Sequence, residues 1–127
     1  MKVDFVSYQP YTPHVLEKAI QNQILVFLNM SGVFCWQNDS VGVWDPTRKV
    51  YRKNHNRFKI NGVSDILGIF HGQFLAIEVK SKVGKLTESQ KVFLENVRDN
   101  GGIAILARSV SDVANALGLK DPFKGNQ

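Results

Sequence analysis

The chain has 127 residues, of which 43% are hydrophobic and 21% are charged, and this is the composition of one globular domain with one core. Its 16 lysines and arginines outnumber its 11 acids, and the net charge of +5 favours a polyanionic partner, with nucleic acid the first expectation. Cys35 is the only cysteine, which excludes an intramolecular disulfide and indicates a reducing compartment. No apolar run reaches the roughly 18 residues needed to span a bilayer, so we expect a soluble, cytoplasmic protein without a membrane partner.

The first predicted element is a helix that begins at Thr12-Pro13, where a hydroxyl cap precedes a proline in the first turn. Apolar residues recur at helical spacing until Ser31-Gly32, which ends the helix. Glu17 lies at the border of this apolar stripe. It is either a solvated surface acid or one that reaches the edge of the buried face.

Two short β-prone runs follow, at 33–36 and 41–44, and the polar residues between them predict a small hairpin at the edge of a sheet. Asp45-Pro46 is expected to end this hairpin. Residues 46–61 are then predicted to form an extended or mobile loop.

This loop carries a concentrated positive charge, and a second basic loop follows residue 80. The basic side chains are either phosphate contacts or members of solvated loops, and the aromatic residues among them could stack on bases. The candidate DNA-binding residues are Arg48, Lys49, Arg52, Lys53, Arg57, Lys59, Lys82 and Lys85.

The centre of the chain predicts a hairpin, because two apolar runs at 66–70 and 73–77 are joined by His71-Gly72. If this two-residue turn sets the register, Asp65 lies directly opposite Glu78, with Cβ atoms roughly 5 Å apart on one face. Lys80 shares that face, because side chains alternate along a strand. Facing carboxylates repel unless a positive group lies between them, so the pattern predicts a divalent metal site with a lysine beside it. The alternative is that Lys80 merely neutralises a surface pair of acids.

The remaining elements complete the expected fold. Thr87-x-x-Gln90 is a capping-box pattern that begins a helix ending at Gly101-Gly102, and Gln90 serves either as a cap alone or also as a site residue. The run 103–107 predicts a buried strand parallel to the preceding one, and 109–117 predicts a final helix. We therefore expect one α/β domain over 1–127, a sandwich around a small mixed central sheet, with a frayed tail at about 122–127.

Together, Asp65, Glu78-x-Lys80, Gln90 on the next helix and Glu17 on a leading helix resemble the PD-(D/E)XK nuclease superfamily. Within it, the sequence around these residues is similar to the virus-type replication-repair nuclease (VRR-NUC) domain. One departure is that Ser64 occupies the position of the superfamily's proline, which is commonly absent. The resemblance covers most of the chain, from residue 17 to about 107, and implies a restriction-endonuclease-like α/β/α sandwich.

The resemblance also implies a catalytic set and a cofactor. Mg²⁺ or Mn²⁺ would be held by Asp65, Glu78 and the backbone carbonyl of Val79, and Glu17 would reach the metal directly or through water. Lys80 would orient or deprotonate the attacking water. The implied catalytic residues are Glu17, Asp65, Glu78, Lys80 and Gln90.

The leading functional hypothesis is a metal-dependent DNA endonuclease, and the resemblance suggests branched DNA such as a four-way Holliday junction. The alternatives are a flap or nicking nuclease without junction preference, and a catalytically silent DNA-binding module. A small-metabolite metalloenzyme is disfavoured by the basic loops. Paired cuts in a two-fold junction predict a homodimer, with contact surfaces either around Trp36 and Trp44 or on the first helix.

Overall fold

The computed structural model describes residues 13–39, 43–52 and 57–124, without the side chains of 13–15 and 43. None of the helices in these ranges is both long and apolar enough to cross a membrane. In chain order the described elements are α1 (Pro13–Met30), β1 (Phe34–Gln37), β2 (Val43–Asp45), β3 (Val50–Arg52), β4 (Ile66–Phe70), β5 (Gln73–Val79), α2 (Glu88–Asp99), β6 (Ile103–Ala107) and α3 (Val110–Leu117).

The main sheet has four strands in the order β1-β4-β5-β6, and its centre is the predicted hairpin. His71 and Gly72 both have positive φ, at 50° and 80°, which suits the tight turn between β4 and β5. Phe70 pairs with Gln73 and Ile66 with Ile77, so the predicted register is confirmed. The turn therefore aligns the two strands that lead into the acidic residues.

The predicted parallel unit is also confirmed. Strand β6 lies parallel to β5, with Ile77 opposite Ile105, and α2 makes the crossover between them. The capping box at the start of α2 is complete, because the Thr87 hydroxyl and the Gln90 side chain each bond the other's backbone N–H. The sheet is therefore mixed, antiparallel from β1 to β5 and parallel at β6.

Helices cover both faces of this sheet, so the fold is the expected α/β/α sandwich. Helices α1 and α3 pack against one face. Their apolar side chains bury alternate residues of β5, including Ile77, and the helix residues concerned are Ile24, Leu28 and Val113. Against the other packs α2, which buries Ala76 beneath Leu94 and Val97. Strand β5 is thus covered on both faces, and any charge on it lies among apolar neighbours.

The predicted edge hairpin is wrong in its pairing. Strand β1 pairs with β4, and β2 pairs instead with β3, within the segment 46–61 that was expected to be a loop. The cause is the turn after β2, where the Asp45 carboxylate accepts hydrogen bonds from the backbone N–H groups of Thr47 and Arg48. An aspartate that binds the backbone two and three residues on stabilises a turn, so Asp45-Pro46 joins two strands rather than ending a hairpin.

Candidate active site

The two predicted acids lie at the edge of the sheet where β4 begins and β5 ends. Asp65 directly precedes β4, and its carboxylate Oδ2 accepts a hydrogen bond of 2.9 Å from the backbone N–H of Val79. Its carbonyl accepts a second bond, of 2.7 Å, from Asn38 N–H at the end of β1. Bonds to both neighbouring strands hold the Asp65 backbone and carboxylate beside Glu78.

Glu78 is a buried carboxylate, with only 2% of its surface exposed. Its Oε2 accepts a hydrogen bond of 3.1 Å from Gln90 Nε2 and lies 3.9 Å from Lys80 Nζ. Its Oε1 is buried and has no hydrogen-bond partner among the described residues. One oxygen of this carboxylate is therefore satisfied, and the other is left for a ligand.

Burial first, and then repulsion from and hydrogen bonding with the neighbouring Asp65 carboxylate, together raise the pKa of Glu78 from its ordinary 4.5 to about 8. Lys80 opposes this shift, and Glu17 adds to it. Two ionised carboxylates are both acceptors, so Asp65 and Glu78 can bond each other only by sharing a proton. A cation placed between them would remove the same repulsion.

Gln90 caps α2 and also contacts the acidic pair. Its Oε1 accepts a hydrogen bond of 2.9 Å from Thr87 N–H, and its backbone N–H donates to the Thr87 hydroxyl at 3.2 Å. The same side chain uses its amide N–H to bind Glu78. The start of α2 is thereby connected directly to the acidic pair.

Glu17 reaches the site from α1, although it binds a different partner. Its Oε2 accepts a hydrogen bond of 3.2 Å from Ser81 N–H, just beyond β5. Together with Asp65 and Val79 it lines a pocket of about 220 Å³. Glu17 is therefore close enough to act on the site electrostatically while its carboxylate is held by the backbone.

The described residues fit a divalent cation that keeps part of its water shell. The Glu78 carboxylate is within electrostatic reach of two other carboxylates, those of Asp65 and Glu17, and of the ammonium of Lys80, whose side chain is 12% exposed. No three acidic, histidine or cysteine side chains in the described ranges converge closely enough to form a full metal cage. Mg²⁺ is commonly held by one or two carboxylates plus water, and Asp65 with Glu78 supplies that set.

A half-buried arginine that the sequence analysis did not single out, Arg108, holds the loop after β5. Arg108 Nη1 donates to the carbonyl oxygen of Ser81 and, at 2.8 Å, to that of Gly84. Gly84 in turn lies against Glu17, because a Cβ there would be 2.7 Å from Glu17 Oε2. The sequence did contain a signal, since Arg108 directly follows β6 and the carboxyl ends of neighbouring parallel strands meet at one edge.

Gly62 was also missed as a positioning residue. It has a φ of 76°, and a Cβ there would lie 2.3 Å from the backbone carbonyl of Ser89. The segment that leads into Asp65 therefore lies directly against the first turn of α2, next to Gln90.

Most of the predicted DNA-binding side chains are exposed, and Lys53 lies outside the described residues. Arg52 pairs with Asp45 at 3.4 Å, and the Arg57 guanidinium lies 4.9 Å from the centre of the Phe58 ring. The exposed members of the set are Arg48, Lys49, Arg52, Arg57, Lys59, Lys82 and Lys85.

Comparisons with known proteins identify the family and the fold. The family model of the VRR-NUC domain matches residues 44–111, more than half of the chain. A solved structure described as a VRR_NUC domain protein shares the fold, with a TM-score of 0.57 at 16% identity over 80% of this chain and 84% of that one. No curated protein matches the chain. The extent of the family match shows that this chain belongs to the VRR-NUC domain family, which implies a nuclease.

Proposed function

We propose that this chain is an Mg²⁺- or Mn²⁺-dependent endonuclease that hydrolyses phosphodiester bonds in branched DNA such as Holliday junctions. The observation that supports it best is the carboxylate pair of Asp65 and the buried Glu78, in which one Glu78 oxygen has no hydrogen-bond partner among the described residues and the other lies 3.9 Å from Lys80 Nζ. A pair of this kind is costly without a cation, and it adjoins basic loops suited to a polyanion.

In this proposal Asp65, Glu78 and the carbonyl of Val79 are the metal ligands, and Glu17 binds through water. When bound, the divalent ion supplies Lewis-acid stabilisation of the phosphate oxygens. Lys80 orients or deprotonates the attacking water and offsets negative charge on the phosphate. Gln90 keeps Glu78 in place through its hydrogen bond to Oε2.

The basic side chains on and beyond the β2–β3 ribbon would bind phosphates. If Arg48, Lys49 and Lys59 all make such contacts, neutralising them lowers the slope of log affinity against log salt by roughly 2 to 3. The change should be the same for DNA of any sequence, because phosphate contacts carry no sequence information. An unchanged slope would show that these side chains belong to solvated loops.

A homodimer would provide the paired cuts that a two-fold junction requires. We expect an interface of more than roughly 1,000 Å² in total, centred on the outer side of α1. The exposed side chains Val26 and Met30 lie there, next to the exposed Phe123. Sedimentation at micromolar concentration tests this, and a strict monomer would rule out the dimer while leaving the nuclease proposal standing.

Cleavage of a panel of labelled DNAs tests the main proposal. Wild-type protein with Mg²⁺ should cut a four-way junction faster than a flap or linear duplex, and Asp65→Ala should be inactive while still binding DNA. Asp99→Ala, which removes an exposed acid at the end of α2, is the matched control and should keep full activity. Equal cutting of all substrates would favour a simple nicking or flap nuclease, and no metal-dependent cutting by wild type would favour a silent DNA-binding module.

A further inference from the structure

One half of the sheet face that carries the acids is bare in the described part of the chain. Helix α2 packs mainly on β5 and β6, and the cluster that it forms reaches β4 at Leu67, so the β1 side of this face is largely uncovered among the described residues. Phe34 is 67% exposed and Trp36 is 43% exposed, and Ile69 and Phe74 are exposed beside them. Such a group of large apolar side chains on a small domain indicates a binding surface.

The strand register places this surface next to the acidic pair. Phe34 lies opposite Ile69, which lies opposite Phe74, and directly paired residues point to the same face. Because side chains alternate along β5, Phe74 shares its face with Glu78. The exposed aromatic residues and the acids therefore lie on the same face of the sheet, in successive sets of cross-strand neighbours.

Trp36 is the aromatic residue of this surface nearest to the acids. It pairs with Leu67, so Asp65, two residues before Leu67, is its diagonal neighbour, at a Cα separation of roughly 7–8 Å. Its ring lies 5.5 Å from that of Phe34, at an interplanar angle of 58°. A planar group stacked on Trp36 would be about one nucleotide away from Asp65.

Stacking on an exposed aromatic ring is how proteins bind bases of single-stranded DNA, whatever their sequence. In a duplex each base is already stacked between its neighbours and is not available to such a ring. The surface therefore fits an unpaired base at a branch, and the net charge of +5 on the chain favours the strand that carries it.

A second copy of the chain fits this surface less well. Four partly exposed side chains offer on the order of 400 Å² per copy. Stable interfaces begin at roughly 600 Å² per partner. A copy docked here would also lie over the acidic pair, which DNA must reach.

We propose that Trp36, supported by Phe34, stacks on an unpaired base of the DNA strand whose adjacent phosphate lies at the Asp65–Glu78 site. This inference rests on the proposed nuclease function and deepens it. It gives the preference for branched DNA a physical origin, because only a branch or a strand end presents an unstacked base at the site.

Fluorescence of 2-aminopurine placed at the branch of a forked duplex tests the stacking. Binding is measured with the full chain and Ca²⁺ in place of Mg²⁺, so that contact is followed without relying on cleavage. The chain has two tryptophans, so the substitution Trp44→Phe leaves Trp36 as the single one. The fluorescence of 2-aminopurine and that of Trp36 should both be quenched when the base stacks on the indole ring. Linear duplex with 2-aminopurine at an internal position is the reference substrate.

Trp36→Ala should weaken binding of the fork by about 5- to 150-fold, the range for loss of one stacked base, and should leave duplex affinity unchanged. Trp36→Phe should restore most of the affinity. Trp44→Ala is the matched control, since Trp44 is also exposed but belongs to the β2–β3 ribbon, and it should keep the preference for the fork.

Three results for Trp36→Ala would overturn the inference. These are an equal loss of affinity for fork and duplex, no loss of affinity for either, or conversion of a dimer to a monomer in sedimentation. The nuclease proposal fails separately. Quenching without metal-dependent cleavage would contradict the nuclease proposal and support the stacking contact. Normal cleavage without quenching would contradict only the stacking contact.

Discussion

Replacing Glu78 with glutamine measures the electrostatic cost of the acidic pair, because it removes a charge at nearly constant shape. Burial, with the Asp65 carboxylate next in effect, raises the pKa of Glu78 from 4.5 to about 8. The folded protein therefore binds this proton more tightly than the unfolded chain does. The stability that this gives is complete below pH 4.5 and is lost as the pH rises through about 8.

The loss is considerable at mildly alkaline pH. At about 1.4 kcal/mol per pKa unit, charging Glu78 lowers the free energy of unfolding of the metal-free protein by up to about 4 kcal/mol at pH 8. The glutamine of Glu78→Gln does not titrate, and its amide can still accept from Gln90 while donating to Asp65. The variant should therefore be more stable than wild type at pH 8 and nearly equal to it at pH 4.

Urea unfolding in EDTA at the two pH values measures this difference, and repeating it with Mg²⁺ tests the metal. Mg²⁺ should stabilise wild type more than the variant, because binding to the folded state alone adds to the free energy of unfolding. Glu95→Gln, which changes an exposed acid on α2, is the matched control and should behave as wild type throughout. If Glu78→Gln shows the same pH dependence as wild type, the burial and repulsion inferred for Glu78 are wrong.

Three other substitutions test the rest of the site. Lys80→Ala should lower the single-turnover cleavage rate by about 10²- to 10⁴-fold with little change in DNA affinity; a loss of affinity at an unchanged rate would instead assign Lys80 to phosphate positioning. Gly62→Ala should lower the free energy of unfolding by well over the roughly 1–2 kcal/mol expected for the control Gly32→Ala, because Gly32 has almost the same φ but open space around it. Equal losses for the two variants in denaturant unfolding would contradict the contact of Gly62 with α2. Arg108→Ala should lower the free energy of unfolding by about 2–3 kcal/mol and speed backbone hydrogen exchange at residues 81–84. Unchanged exchange at these residues would show that Arg108 does not hold the loop.

Much of this molecule was determined locally. The His71-Gly72 turn requires positive φ at both positions, and this alone sets the register that places Asp65 beside Glu78. The capping box at Gln90 is likewise a matter of residues three apart. The apolar run at 103–107 was sufficient to predict a strand, although β6 lies at the edge of the sheet and only its Ile105 and Ala107 are buried. In these elements neighbours in sequence make the interaction, so the pattern was sufficient to predict it.

The pairing of the short strands needed the tertiary structure. The Asp45 turn can direct β2 to β3, but no feature of β1 itself indicates that it joins the main sheet through β4. Strands of three or four residues gain little from any single pairing, so their β-propensity does not decide between partners.

Contacts between residues far apart in the chain were also decided only by the fold. Glu17 and Ser81 are 64 residues apart, and Arg108 reaches the same loop from the end of β6. The raised pKa of Glu78 has the same origin, because burial and the approach of Asp65 exist only once the layers have packed. Sequence patterns report which groups can interact within one element, whereas desolvation and long-range hydrogen bonds depend on how the elements pack, and packing is a property of the whole chain.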